Sequence, residues 1–223
     1  MRTMMGSSWG RSGVFATCAL VLVTAACTGE GAQAGRESSS DLNVCRQVFG
    51  DGNVDAVESI LAEDDVQVVS GAPGRLKDRL TEQARAWTAG SDDLRRDSSR
   101  LCTLGGTGVD SRGWMTGRVM WSTLTMDSVT VGSSAKGWRK AADGVYVQPL
   151  KQEAGLAVVA PCRLAGTAPG QERQLPLEVS VTEQGLGSRD PDLTGRVASA
   201  LLRYTRTLLG CQNPLEVPDS LSS

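Results

Sequence analysis

Ser133 and Lys136 come closest to a catalytic motif in this chain, because they form the pattern S-x-x-K. That pattern can place a lysine amine beside a nucleophilic serine, which is the chemistry of acyl transfer. Its partner motifs S-D-N and K-T-G are absent, and the chain has no histidine to serve as a base or metal ligand. The sequence therefore predicts a non-enzymatic protein. The alternative is a cell-envelope hydrolase that uses Ser133/Lys136 or carboxylates.

Carboxylates are the other side chains that could carry acid–base chemistry. They occur in close groups, which are Glu63, Asp64 and Asp65, then Asp92 and Asp93, then Asp190 and Asp192. A glycosidase needs two carboxylates on opposite sides of a cleft, whereas adjacent acids in loops at helix ends are usually solvated. We therefore predict no catalytic residue among them.

The N-terminal segment predicts export from the cell. Arg2 and Arg11 precede an apolar run over residues 14–26, as in a signal peptide. The sequence Ala25-Ala26-Cys27 resembles a bacterial lipobox, although Thr24 departs from its usual branched apolar residue. The resemblance implies that residues 1–26 are removed, that Cys27 is lipidated, and that the protein is anchored on the extracytoplasmic face of the cell membrane. The alternative is plain secretion after cleavage behind Ala34.

The remaining cysteines predict two disulfide bonds. Cys18 lies in the signal segment and Cys27 is the predicted lipidation site. The four cysteines that remain are Cys45, Cys102, Cys162 and Cys211. An even number of cysteines in an exported chain indicates disulfides, whereas a metal site needs closely spaced ligands. We therefore predict no metal or other cofactor. Three pairings are possible, and we favour Cys45–Cys102 with Cys162–Cys211 because each would close one half of the chain.

Composition indicates one domain with no affinity for nucleic acid. The 223 residues include 23 basic and 25 acidic side chains, a net charge of −2, and the two signs are interspersed. Residues 27–41, rich in Gly, Ala and Ser, are expected to form the lipidated N-terminus and a flexible tether. Residues 42–211 are expected to form a single extracytoplasmic domain, and residues 212–223 a loose tail.

Hydrophobic periodicity predicts an α+β fold with a mainly antiparallel sheet and about three helices. The first helix is expected to begin with Asn53 as its N-cap, the second to cover residues 73–89, and the third to follow Asp190. Segments rich in β-branched residues predict strands, with Gly-rich turns between several of them. These strands are expected at 66–69, 101–104, 114–126, 129–131, 145–147, 156–164 and 175–182.

The third helix is the clearest local pattern in the sequence. Asp190 is a suitable N-cap and Pro191 suits the first helical position. The apolar stripe is expected to contain Leu193, Val197, Ala200, Leu201, Tyr204 and Leu208. Arg196, Arg203 and Arg206 lie along its flank, which is typical of a solvated face.

Two tryptophans provide the sequence's only indication of a binding site. Trp114 and Trp121 are seven positions apart in a predicted strand, so they should point to opposite faces of the sheet. The favoured interpretation is that both rings are buried. If helices cover only one face, one ring is exposed and could stack on a sugar or anchor a partner.

The whole arrangement resembles the small exported lipoproteins of actinomycete-type bacteria. The resemblance rests on Cys27, the polar segment after it, and the layout of four cysteines. It implies a membrane-tethered module that binds a small ligand or an envelope protein, with no cofactor.

Overall fold

The computed structural model describes residues 30–61, 66–90, 94–107, 113–131, 136–150 and 152–221. Its helices are α1 (Glu30–Phe49), α2 (Asp51–Ile60), α3 (Pro73–Ala86), α4 (Met126–Thr130), α5 (Gln171–Gln174) and α6 (Leu193–Leu209). Its strands are β1 (Val66–Ser70), β2 (Ser99–Gly106), β3 (Trp114–Trp121), β4 (Arg139–Ala142), β5 (Val145–Pro149), β6 (Gly155–Ala160) and β7 (Leu177–Gln184).

The seven strands form one antiparallel sheet in the order β1-β2-β3-β7-β6-β5-β4. Two meanders, β1–β3 and β4–β7, meet where β3 pairs with β7 in the middle of the sheet. The predicted α+β class with an antiparallel sheet is confirmed. The described residues contain six helices rather than about three, and two of the six are single turns of five and four residues.

The disulfide pairing is also confirmed, with Cys45 bonded to Cys102 and Cys162 bonded to Cys211. The first bond joins α1 to β2, and the second joins the segment after β6 to the residue after the C-cap of α6. On a chain-entropy account, loops of 57 and 49 residues each correspond to roughly 4 kcal/mol of stabilisation.

The helix α1 replaces much of the predicted tether. Residues from Glu30 onward are helical, and Cys45, Val48 and Phe49 of the last turns are buried in the core. Tertiary burial of these positions and the bond from Cys45 to β2 explain why the helix forms here, despite a composition typical of a linker. The prediction of Asn53 as an N-cap is also wrong. Gly50 occupies that position, and the Asn53 amide donates to the Phe49 carbonyl at 2.8 Å.

The connection between β3 and β4 also differs from the predicted strands. β3 ends at Trp121, and residues 126–130 are helical although Val129 and Thr130 favour strands. The reason is a capping box, in which Thr125 and Ser128 each accept from the other's backbone N–H, at 3.1 and 2.9 Å. The sequence analysis also missed β4, an edge strand that pairs only with β5.

The helix α6 contains the predicted apolar stripe, rotated slightly about the helix axis. Leu193, Val197 and Leu201 are fully buried, whereas Ala200, Tyr204 and Leu208 are only half-buried. The N-cap is Asp192, and Asp190 instead forms an ion pair with Arg196 at 2.6 Å.

The expectation of a solvated arginine flank on α6 is wrong for Arg206, whereas Arg203 is exposed. Arg206 is buried, and its guanidinium donates to the carbonyl of Pro161 and, at 2.6 Å, to that of Asn213. Burial lowers the pKa of Arg206. Its role in the structure is to join α6 to two remote segments of the chain.

Residues 212–221 are packed against the domain and do not form the predicted loose tail. Leu221 is 1 % exposed and its N–H donates to the Gly195 carbonyl at 3.1 Å. Ser199 and Arg203 of α6 both donate to the carbonyl of Pro218. The segment therefore packs along α6, because Leu221 gains burial there and α6 supplies donors for its backbone.

Candidate functional site

The long helices cover one face of the sheet. Gly117 of β3 illustrates the packing, since a Cβ at this position would lie 2.5 Å from Cε1 of Phe49 and 3.2 Å from Cδ2 of Leu201. Trp121 lies on the same face, is fully buried, and donates from Nε1 to the Leu80 carbonyl at 2.9 Å. Trp121 is therefore a core residue beneath α3.

Trp114 lies on the opposite face, as the alternation along β3 predicts. It is half-buried, so the interpretation that both rings are buried is wrong for Trp114. Its Nε1 donates to Oε1 of Gln184 on β7 at 2.7 Å. This hydrogen bond restrains the orientation of the indole ring while part of the ring remains exposed.

The neighbours of Trp114 form a polar surface that we call the outer face. The register of β2, β3 and β7 places seven side chains on it, which are Thr103, Trp114, Thr116, Arg118, Ser180, Thr182 and Gln184. The hydroxyls of Thr103 and Thr116 are hydrogen-bonded at 2.8 Å. Thr116 and Thr182 are nearly buried, whereas Arg118 and Gln184 are exposed.

Glu178 marks the boundary of the outer face. It is opposite Met120 and Val159 in the sheet, and Val159 is covered by Met126 and Val129 of α4. Burial raises the pKa of the Glu178 carboxyl, and a 2.7 Å hydrogen bond from Ser122 partly offsets that rise. For Glu178, burial is therefore the dominant influence on the carboxyl and opposes its ionisation.

A second surface feature lies between α3 and the beginning of β2, and we call it the arginine cleft. Its volume is about 190 Å³ and its lining residues are Ala72, Arg75, Leu76, Arg79, Ser99, Arg100 and Leu101. Arg79 donates to the Asp97 carbonyl at 3.3 Å and to the Ser99 hydroxyl, while its Nε is buried without a partner. Three guanidinium-bearing residues thus line a small cavity that no acidic side chain lines.

Among the described residues, one cavity has two acidic residues in its lining but no basic residue. It measures about 540 Å³ and is bounded by residues 142–144, Pro161 and the C-terminal segment, including Glu216. Its other acid, Asp143, accepts from Lys140 at 2.9 Å, and this hydrogen bond lowers the Asp143 pKa. A carboxyl stabilised in its ionised form is a poor proton donor at neutral pH.

The other residues singled out in the sequence are not brought together. Cys27, Ser133 and the groups at 63–65 and 92–93 lie outside the described residues. Lys136 is exposed in a turn, where its carbonyl accepts from Gln148. Within the described part of the chain, no group of three or more Cys, Asp or Glu residues is placed to hold a metal ion. No helix in that part is both long enough and apolar enough to cross a membrane.

Comparison with known proteins identifies no similar protein. The sequence matches no family model, and neither a curated protein nor a solved structure shows significant similarity to it. The function must therefore be argued from the outer face and the arginine cleft.

Sequence reasoning missed the arginine cleft, although one signal was present. Arg75 and Arg79 are four residues apart, so a helix beginning at Pro73 places them on one side. Their proximity to Arg100 depends on the chain crossing at Gly71, which has no recognisable pattern in the sequence.

Proposed function

We propose that this protein is a lipid-anchored, extracytoplasmic binding module without catalytic activity, and that its ligand binds on the outer face. The N-terminal sequence supports the anchor, because a basic start and an apolar run precede Ala25-Ala26-Cys27. Two acyl chains hold a protein stably at a membrane where a single chain is marginal. The two disulfides support an oxidising, extracytoplasmic compartment.

The observation that carries the binding proposal is the position of Trp114. Tryptophan side chains are usually buried, because the ring contributes a large apolar area to a core. An exposed tryptophan ring therefore suggests a binding role. Here the ring is half-buried on a face that no long helix covers, and Gln184 restrains it. An aromatic ring held in advance binds a ligand at a lower entropic cost than a mobile one.

The chemistry around Trp114 favours a polyhydroxylated ligand such as an envelope glycan. Thr103 and Ser180 supply partly exposed hydroxyls, and Arg118 supplies donors, within two neighbouring strand pairs. The centre of a protein–protein interface is depleted in serine and enriched in several aromatic side chains together. One ring surrounded by hydroxyls, an amide and a guanidinium suits a sugar better.

The alternative of a cell-envelope hydrolase has less support. Lys136 is exposed in a turn, Asp190 is paired with Arg196, and Asp143 is held ionised by Lys140. The pKa values of both Asp190 and Asp143 are lowered by their cationic partners, which is the wrong direction for a general base at neutral pH.

The experiment is a sedimentation assay with purified, insoluble cell-wall sacculi. The protein should co-sediment with sacculi, and Trp114→Ala should weaken binding about tenfold, because it removes the ring on which the sugar would stack and the apolar area that the ring would bury. Trp138→Ala is the matched control, because it removes an indole from the separate cluster beneath α4. Equal binding by Trp114→Ala would refute the role of the outer face. Release of soluble glycan fragments would support the hydrolase instead.

A further inference from the structure

We infer that the arginine cleft binds a phosphate group. The inference goes beyond the outer face and does not depend on it, because the cleft is formed by α3 and the beginning of β2. The relevant chemistry is a doubly charged oxyanion, which guanidinium groups bind through paired, charge-assisted hydrogen bonds.

The arginines of the cleft have no carboxylate partners, unlike other arginines of the protein. Arg46, Arg173 and Arg196 each have an acidic partner within 4 Å. In the described part of the chain, no carboxylate lies within that distance of Arg75, Arg79 or Arg100, the three cleft arginines. The acids of α3, Asp78 and Glu82, line another surface of the helix. Near the cleft, Asp97 pairs with Arg95 and Asp41 accepts a hydrogen bond from Ser70.

The cleft also contains uncompensated repulsion between positive charges. Arg75 and Arg79 are an i,i+4 pair on α3, and like charges at that spacing destabilise a helix. Arg100 of β2 brings a third cationic residue to the same cleft, and a bound dianion would relieve the repulsion among them.

Arg79 has a buried donor without an acceptor. Its hydrogen bonds to Asp97 and Ser99 hold the side chain against β2, and its Nε remains buried without an acceptor. Buried donors are nearly always paired, so an unpaired one in a cavity calls for a ligand or a water. The volume of about 190 Å³ exceeds the ~10–15 Å³ that one water needs, and it can hold a phosphate with solvent.

Local geometry brings these groups together. The Gly71 N–H donates to the Leu101 carbonyl at 2.8 Å, and a Cβ on Gly71 would collide with the Arg100 carbonyl. This close crossing places the first turn of α3 beside β2. The N-cap residue Ala72 lines the cleft and offers no side-chain acceptor, so the positive end of the helix dipole faces the same cavity.

The test is calorimetric titration of inorganic phosphate into the full chain carrying Cys27→Ala, which has no acyl anchor. We compare this protein with Arg75→Gln/Arg100→Gln, which removes two exposed cations of the cleft. The matched control is Lys77→Gln/Arg85→Gln, which removes two exposed cations from another surface of the same helix. Thermal unfolding of all three proteins checks that each is folded.

We expect phosphate to bind, the cleft variant to bind at least about tenfold more weakly, and the control to stay within about twofold. A second measurement uses vesicles of phosphatidylcholine with and without phosphatidate, which distinguishes a lipid headgroup from free phosphate. Binding of either source that depends on the cleft arginines supports the inference. The inference is overturned if neither source binds, or if the control variant loses as much affinity as the cleft variant.

Discussion

Leu201→Ala probes the contact on which α6 is docked to the sheet. The side chain is fully buried and lies over Gly117 of β3 beside Phe49. Removing the side chain leaves a cavity between α6 and the sheet. The Cys162–Cys211 disulfide at the end of α6 limits how far the helix can move to fill that cavity. Since Leu→Ala changes in such sites cost about 2.7–5.0 kcal/mol and rise with the residual cavity, we expect a loss of about 3–5 kcal/mol.

The opposite change tests the same contact from the sheet side. A Cβ on Gly117 would lie 2.5 Å from Cε1 of Phe49 and 3.2 Å from Cδ2 of Leu201, so Gly117→Ala should overpack the core and cost about 1–3 kcal/mol. In the Leu201→Ala background, the Phe49 ring gains room to move away. The double variant should therefore be more stable than additivity predicts, by about 1 kcal/mol or more.

The assay is urea unfolding at neutral pH with both disulfides intact, monitored by tryptophan fluorescence. Leu208→Ala is the control, because it deletes the same atoms from a half-buried position of the same helix. The packing account is refuted if Leu201→Ala costs no more than Leu208→Ala. Additivity of the double variant within about 0.3–0.5 kcal/mol would also contradict it.

Four further predictions concern burial, charge and the anchor. Because burial raises the pKa of Glu178 in the folded state, its contribution to stability is complete below about pH 4 and is lost as pH rises. The variant Glu178→Gln should therefore be more stable than the parent at pH 7 and equal to it near pH 3 in urea unfolding. Arg206→Met should cost about 1–3 kcal/mol because the Asn213 carbonyl loses its guanidinium donor and the Pro161 carbonyl keeps only the Asn213 amide. Arg203→Ala, whose partner Asp219 is exposed, should cost less than about 1 kcal/mol by the same measurement. Cys27→Ala should abolish labelling by radioactive palmitate, and a mature N-terminus at Gly35 in the medium would contradict the lipobox interpretation.

The features that sequence reasoning predicted correctly depend on local periodicity or on a strong covalent constraint. The disulfide pairing followed from closing each half of the chain, and the structure joins Cys45 to Cys102 and Cys162 to Cys211. The opposite orientation of Trp114 and Trp121 followed from the period of a strand, which tertiary contacts do not alter.

The features that it missed depend on partners remote in sequence. Arg206 is buried because Pro161 and Asn213 supply acceptors, and neither position can be assigned to α6 from the sequence. Residues 30–41 look like a linker, but the buried residues Cys45, Val48 and Phe49 anchor the helix that contains them. The arginine cleft requires the crossing at Gly71, which exists only in the folded chain.

The most direct test of the central claim is site-specific photo-cross-linking in living bacterial cells that express the protein. A photoreactive amino acid replaces Ser180 on the outer face in one protein and Glu82 on the exposed surface of α3 in another. The proposed function predicts a glycan adduct from position 180 that glycan hydrolases remove, and no such adduct from position 82. An adduct from position 82 alone, or the absence of any adduct at position 180, would contradict binding on the outer face.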